Sequence, residues 1–284
     1  MINDRLRIDG IIRTALEEDL GPGDLTTDAI IGADVKGRAV LITREQIILA
    51  GLPVFTRVFT LLDPEIEFEY NHEEGQGIPA GDAVCYISGR LSAILKAERT
   101  ALNFLQRMSG IATLTREYVL KAGAGKVRIL DTRKTAPGLR ILDKYSVRLG
   151  GGFNHRIGLF DGILIKDNHI AAAGSISKAV SLAKKNAPHT VKVEVEIERP
   201  DGIKEALEAG ADAVLLDNMT TDDIRMAVKM INGRVPVEVS GGVSLATVAG
   251  IAETGVDLIS VGALTHSVRA VDLSLEILPQ DADK

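Results

Sequence analysis

A chain of 284 residues, 45% hydrophobic and 25% charged, can bury the core of one or two domains. No run approaches the roughly 20 apolar residues a membrane span needs, and MINDRLRIDG lacks the basic-then-apolar order of a secretory leader, so a cytoplasmic protein is expected. One cysteine excludes an internal disulfide or a multi-cysteine metal site, and a net charge of −6 argues against general affinity for nucleic acid.

In the first hundred residues the extended runs KGRAVLITRE, QIILAG, EIEFEYN and AVCYISGR surround one short helical run, PVFTRVFTLL. This pattern predicts a separate, mostly antiparallel domain, with Cys85 inside a strand. The domain closes on a long helical pattern, LSAILKAERTALNFLQRMSGIATLT, where Leu95, Leu102, Leu105 and Met108 form one apolar stripe. Arg99 falls between these positions and, on the helix alone, reads as a solvated or salt-bridged residue.

The segment from Arg128 to His169 carries eight Lys or Arg against four Asp, a net of +4 that leaves −10 for the remainder. Its cations are scattered singly in a chain with 4% aromatics and no Trp, so a small, strongly anionic ligand suits it better than nucleic-acid bases. Short β-rich runs then alternate with helical patterns: VRIL, GILIK, VKVEVEI, AVLLD, VPVEVS and DLISVG. Repeated β-α units predict parallel strands. The strand ends at Lys166, Glu196, Asp217, Ser240 and Gly262 are 30, 21, 23 and 22 residues apart, which suits an α/β barrel of the TIM type at least as well as an open sheet; in such barrels the site lies at the carboxyl ends of the strands.

In VKVEVEIE, period two puts Val191, Val193, Val195 and Ile197 on the face meeting the helices and Lys192, Glu194, Glu196 and Glu198 on the other. Lys192 and Glu194 are expected to pair inside the lumen, while Glu196, nearest the mouth, and Asp217 on the next strand can hold a hard cation that also takes phosphate ligands. Asp217 could instead cap the helix that begins near Thr220. Ser240, Gly241 and Gly242, and again Gly262 and Ala263, follow strands and precede helices, a setting for backbone amides that cradle phosphate. FNHRIGLFDGILIKDNHI adds His155, Arg156 and Lys166 around a buried strand.

ERTALNFLQRMSGIAT, DTRKTAPGLR, KYSVRLGGGFNHRIGLFDGILIKDNH, VEVEIE, LLDN, VSGG and VGALTHS together resemble the quinolinate phosphoribosyltransferases, also called nicotinate-nucleotide pyrophosphorylases (carboxylating). The resemblance runs from LGPGDLTTDAI at 20–30 to THSVRAVDLSL at 265–275. It implies an amino-terminal α/β sandwich over 1–110, completed by 270–284, and an incomplete seven-stranded α/β barrel over 111–269. It further implies a homodimer, and synthesis of nicotinate mononucleotide, pyrophosphate and CO₂ from quinolinate and phosphoribosyl pyrophosphate (PRPP) with Mg²⁺. Carried over by position, Arg133, His155 and Arg156, beside Thr132, take the carboxylates of quinolinate, and Arg99 joins them from the partner subunit. Lys134 and Lys166 hold PRPP or bridge the substrates. Glu196 and Asp217 face PRPP and Mg²⁺, and Ser240, Gly241, Gly242, Val261, Gly262 and Ala263 surround phosphate.

Two rivals are a related barrel acting on another aromatic acid and a sensor that binds the diacid without turnover. The cluster of Arg133, His155 and Arg156 argues against the first, since two carboxylates need more than one cation. Lys166, Glu196 and Asp217 argue against the second.

Overall fold

The computed structural model describes residues 5–279. In chain order the elements are α1 (Arg5–Leu20), α2 (Leu25–Ile30), β1 (Lys36–Thr43), β2 (Ile47–Ile48), α3 (Leu52–Leu62), β3 (Glu67–Tyr70), β4 (Gly77–Ile78), β5 (Ala83–Arg90) and α4 (Leu91–Ala122). They continue with β6 (Arg128–Leu130), α5 (Arg140–Leu149), β7 (Ile163–Ile165), α6 (Asp167–Ala173), α7 (Ile176–Asn186), β8 (Val193–Ile197) and α8 (Asp201–Glu208). The last are β9 (Ala213–Asp217), α9 (Thr221–Ile231), β10 (Val237–Ser240), α10 (Val248–Ala252), β11 (Leu258–Ser260), α11 (Ala263–His266) and β12 (Leu273–Ile277). Among the described residues no helix is long and apolar enough to cross a membrane. The chain forms two compact units. One takes the described residues up to Leu114, then Ala136–Gly150, then the described residues from Val268 on; the other takes Thr115–Thr135 and Gly151–Ser267.

The first unit is built on an antiparallel sheet of order β12-β1-β5-β3, with β2 and β4 paired beside it. Alternation along β1 sends Ala39 and Leu41 into the core, in register with Ile87 and Cys85 of β5. Burial pushes the Cys85 thiol up to about 12, so this cysteine packs and does not react. Against the sheet lie Val54, Phe55, Val58 and Phe59 of α3 and Leu102, Leu105 and Met108 of α4, all buried. Leu95, expected in the same stripe, is only half-buried. Gly110 of α4 marks a close approach, since a Cβ there would lie 2.3 Å from the carbonyl oxygen of Arg269.

The sequence shows one short helical run before α4; the structure adds α1 and α2. Ile8, Ile12 and Leu16 form a buried stripe at four-residue spacing on α1. Gly10 in its interior and Glu17, Glu18 and Asp19 at its carboxyl end, where the helix dipole disfavours anions, weaken the local signal. Packing of that stripe, not propensity, sustains the helix.

Helix α5 also departs from expectation, for it packs with the first unit although the sequence reads it as part of the barrel. Leu142 joins the first core with Ile141, Tyr145 and Leu149 against it. Arg107 Nε and Nη2 donate to the two oxygens of fully buried Asp143 at 2.9 and 2.8 Å, and the Ala136 N–H donates to the same carboxylate at 3.1 Å. Removing one partner of a buried pair strands the other, so Asp143→Ala is expected to cost roughly 3 kcal/mol. The measurement is a fall in the urea midpoint at unchanged slope; an unmoved midpoint would show that the pair contributes nothing.

The second unit holds six parallel strands in the order β6-β11-β10-β9-β8-β7, and an isolated parallel bridge from Leu130 to Phe153 supplies a seventh position beside β6. The sheet is that of an incomplete α/β barrel. On β8, Val193, Val195 and Ile197 are buried on the helix side, Ile197 against Gly202 of α8. The opposite face therefore carries Glu194 and Glu196 toward the lumen. Register extends that face: Glu194 aligns with Leu164 and Ala213, Glu196 with Leu215, Leu215 with Glu238, and Asp217 with Ser240.

Candidate active site

Four strand endings deliver the polar rim. Asp217 and Ser240 are the last residues of β9 and β10, Glu196 is next to last on β8, and Lys166 is the first residue beyond β7. Lys166 stands two residues past Leu164 and so returns to the lumen face, where its ammonium pairs with Glu196. Its backbone N–H donates to His169 Nδ1 at 2.9 Å, which fixes the turn into α6.

Asp217 does not cap the helix after it. Thr220 does, with its hydroxyl accepting from the Asp223 N–H, and Asp217 is left at the mouth, accepting from Ser240 Oγ at 2.5 Å and Asn218 Nδ2 at 2.7 Å. Asn218 is left-handed at φ 54°, and its N–H donates to the Ser240 carbonyl. Gly241 follows at φ 88°, and a Cβ there would lie 2.2 Å from Asn218 Oδ1 and 2.7 Å from Asn218 N. Only glycine fits this crossing. Gly242 is exposed and left-handed at φ 61°.

The DTRK stretch follows β6 directly. Thr132 Oγ1 accepts from the Lys134 N–H at 3.0 Å, and Thr265 Oγ1 donates to the Lys134 carbonyl at 2.9 Å. Val261 is buried, its N–H donating to the Leu130 carbonyl. At Gly262 a Cβ would come within 3.0 Å of Lys134 Cδ and 3.1 Å of the His266 ring, so the glycine leaves both side chains room; Ala263 opens α11 beside it. Arg133 and Lys134 are exposed, and Arg156 is half-buried with Nη1 donating to the Gly162 carbonyl at 2.8 Å. Burial, and next the charge of Arg133, hold the Arg156 guanidinium below its ordinary value, with Asp161 and Glu194 opposing. Two guanidiniums that repel one another would both gain from an anion placed between them.

His155 is turned inward. Its Nε2 lies 3.2 Å from Glu194 and 3.6 Å from Glu238, and its Nδ1 accepts from the Arg156 N–H at 2.7 Å. Buried Asp131 accepts from the His155 N–H at 2.9 Å and from Asn154 Nδ2 at 2.5 Å. Glu194 therefore does not pair with Lys192 as expected; Lys192 is exposed and its charge acts on Asp212. Buried Glu238 accepts from Ser260 Oγ at 2.5 Å, and its carboxylate comes within 4.8 Å of that of Glu194. Burial, reinforced by the neighbouring Glu194 charge, pushes the Glu238 carboxyl up to about 7.

Asp131, Glu238 and Ser260 are missed in the sequence reading. The available signal is the one used for Glu194: a carboxylate at an inward position of an apolar strand, as in VPVEVS, or at its tip, as in RILD. Arg99, expected near the substrate, is exposed on α4 in the first unit. A cavity of about 770 Å³ lies in that unit between α3 and residues 70–76, and its Arg57 is already paired with Asp9 at 2.7 Å.

Glu196 and Asp217 suit a hard divalent ion. Both are carboxylates on the lumen face of adjacent strands, Asp217 two positions beyond the register partner of Glu196. Among the described residues no third His, Cys or acidic side chain groups with them, so an octahedral ion held by the two would take its remaining ligands from phosphate and water.

Family models match nearly the whole chain: quinolinate phosphoribosyl transferase, N-terminal domain, over residues 24–109, and its C-terminal domain over residues 111–276. The chain is 44% identical over 288 residues, 94% of its length and 82% of the relative's, to the chloroplastic nicotinate-nucleotide pyrophosphorylase [carboxylating] of Arabidopsis thaliana. The solved nicotinate-nucleotide pyrophosphorylase of Francisella tularensis superposes with a TM-score of 0.93 at 44% identity, covering 98% of this chain and 99% of that one. NadC of Streptococcus pyogenes gives a TM-score of 0.93 at 42% identity, covering 96% and 98%. With a parallel barrel rimmed by paired guanidiniums, a lysine and two carboxylates, and with both domain patterns present in order, the chain belongs to the quinolinate phosphoribosyltransferase family.

Proposed function

We propose that the protein transfers the phosphoribosyl group of PRPP to the ring nitrogen of quinolinate and releases pyrophosphate and CO₂, giving nicotinate mononucleotide for NAD synthesis. The observation that carries this reading is the Arg133 and Arg156 pair beside the Lys166–Glu196 and Asp217–Ser240 couples on one barrel rim. Arg133 and Arg156 fork onto the two carboxylates and aim the ring nitrogen at the sugar. Lys134 and Lys166 meet the pyrophosphate end, and Ser240, Gly241, Gly242, Val261, Gly262 and Ala263 follow the phosphates. Glu196 and Asp217 would hold Mg²⁺, which supplies positive charge to the leaving group when bound.

As the bond from the ribose carbon to pyrophosphate breaks, positive character builds on the sugar and negative charge on the leaving oxygens, so fixed lysines lower the barrier without a covalent nucleophile. Once the pyridine nitrogen is alkylated, its charge stabilises the electron pair left on the adjacent carbon by CO₂, and that carbon then takes a proton. The active form in this reading is a cytoplasmic homodimer in which Arg99, exposed on α4, reaches the partner's barrel. Incubation with quinolinate, PRPP and Mg²⁺ is expected to yield nicotinate mononucleotide, pyrophosphate and CO₂ in equal amounts. Pyrophosphate without CO₂, or no product, rejects the assignment.

A further inference from the structure

Lys134 lies beyond the end of β6 in neither helix nor strand, so its peptide groups must be held from outside regular structure. Its N–H donates to Thr132 Oγ1 at 3.0 Å, and its carbonyl accepts from Thr265 Oγ1 at 2.9 Å. Thr265 is buried in the short helix α11, where a β-branched residue adds little helical preference of its own. Its hydroxyl also faces the carbonyl of Gly262, one turn back, at 3.4 Å. A hydroxyl carries one hydrogen, and the shorter contact takes the larger share of it, so this donor serves the lysine loop before its own helix. The two segments keep step up to that point. The Val261 N–H reaches the Leu130 carbonyl at 2.9 Å, and four residues further along each segment Thr265 reaches Lys134.

We propose that Thr265 is a positioning residue for the Lys134 ammonium, acting through the Lys134 carbonyl. The inference rests on the reading above in which Lys134 meets the pyrophosphate end of PRPP. A lysine ammonium sits on a long, flexible stem, so its charge is placed only as well as the backbone from which the stem starts. With the peptide on each side of Lys134 hydrogen-bonded, the direction of its Cα–Cβ bond is set. The stem then runs past Gly262, where a Cβ would come within 3.0 Å of Lys134 Cδ. Without the Thr265 hydroxyl the carbonyl turns to solvent and the peptide after Lys134 gains freedom to rotate. The ammonium then spends part of its time away from the leaving group, while Arg133 and Arg156 still receive the diacid. A change confined to the oxygen of Thr265 separates this role from the packing of its buried methyl.

The test compares steady-state kinetics of wild type, Thr265→Val and Thr265→Ser. Thr265→Val keeps the branched shape without the donor and should raise the PRPP KM about fivefold, leaving the quinolinate KM within about twofold. Thr265→Ser keeps the donor and should hold both KM values within about twofold of wild type. Should Thr265→Val fail to fold, Thr265→Ala, which differs from Thr265→Ser by the hydroxyl alone, takes its place with the same expectation. Calorimetric titration with PRPP and Mg²⁺ then separates Lys134 from Gly262 as the point of action. In a Lys134→Met background, loss of the Thr265 hydroxyl should change the dissociation constant less than about twofold. A fivefold further loss there overturns the proposal, as does an unchanged PRPP KM without the hydroxyl, an equal rise in both KM values, or Thr265→Ser as impaired as Thr265→Val. So does failure of both Thr265→Val and Thr265→Ala to fold where Thr265→Ser folds, for the hydroxyl then serves the fold. Wild-type protein that makes no nicotinate mononucleotide rejects the underlying reading itself, an outcome visible before any variant is compared.

Discussion

Nicotinic acid, which lacks the carboxylate beside the ring nitrogen, is expected to be turned over at least about 10⁴-fold less efficiently than quinolinate in terms of kcat/KM. The Arg156 guanidinium is half-buried and already pressed by Arg133, so the pair gains most when two carboxylates lie against it. A monoacid fills one position and leaves the other cation desolvated without an anion. Sites built to pair a charged or polar group reject analogues lacking it far more strongly than sites built on apolar fit. The loss should fall on both kcat and KM, since the missing carboxylate is also the leaving CO₂ and helps orient the ring. Competition kinetics with both acids at saturating PRPP measure the ratio; comparable turnover would mean that the two arginines do not read the second carboxylate.

Complementation between two inactive variants should give an effect of similar size. In the proposed dimer each site joins Arg99 of one chain to Lys166 of the other, so Arg99→Ala and Lys166→Ala proteins are each expected to be inactive alone. Subunit exchange creates hybrids in which one site carries both substitutions and the other neither. Random pairing makes about half of the dimers hybrid, each with one intact site of two, and roughly a quarter of wild-type activity should return. If the mixture stays inactive while exchange is demonstrated by mass spectrometry, Arg99 does not act across subunits.

The barrel was legible because parallel strands buried on one face and polar on the other leave a period-two signature, and their ends recur at even spacing. VKVEVEI revealed which residues face inward, and Lys166, Glu196, Asp217 and Ser240 all reach the rim. What could not be read is which inward side chains meet across the lumen. His155 comes from the loop before β7, Glu194 from β8 and Glu238 from β10, 39 and 44 residues apart in sequence, and no local pattern relates them. Period two puts Lys192 on the same face as Glu194, yet Lys192 precedes β8 and is exposed. In the first unit α1 was hidden by its own unfavourable residues, and α5 by its position between two barrel segments.

The excursion of Ala136–Gly150 has a consequence for how such a protein can change. The chain passes from one unit to the other at four points, two of which directly flank the loops bearing Arg133, Lys134, His155 and Arg156. A crossover near residue 110, between the two family-model matches, would bring in a barrel whose embedded helix carries a foreign partner for Arg107 and a foreign apolar face for the first core. The halves therefore cannot be traded as modules. Residues far from the chemistry, Arg107, Asp143 and Leu142 among them, are inherited together with the substrate loops, and drift in one half is answerable to the other.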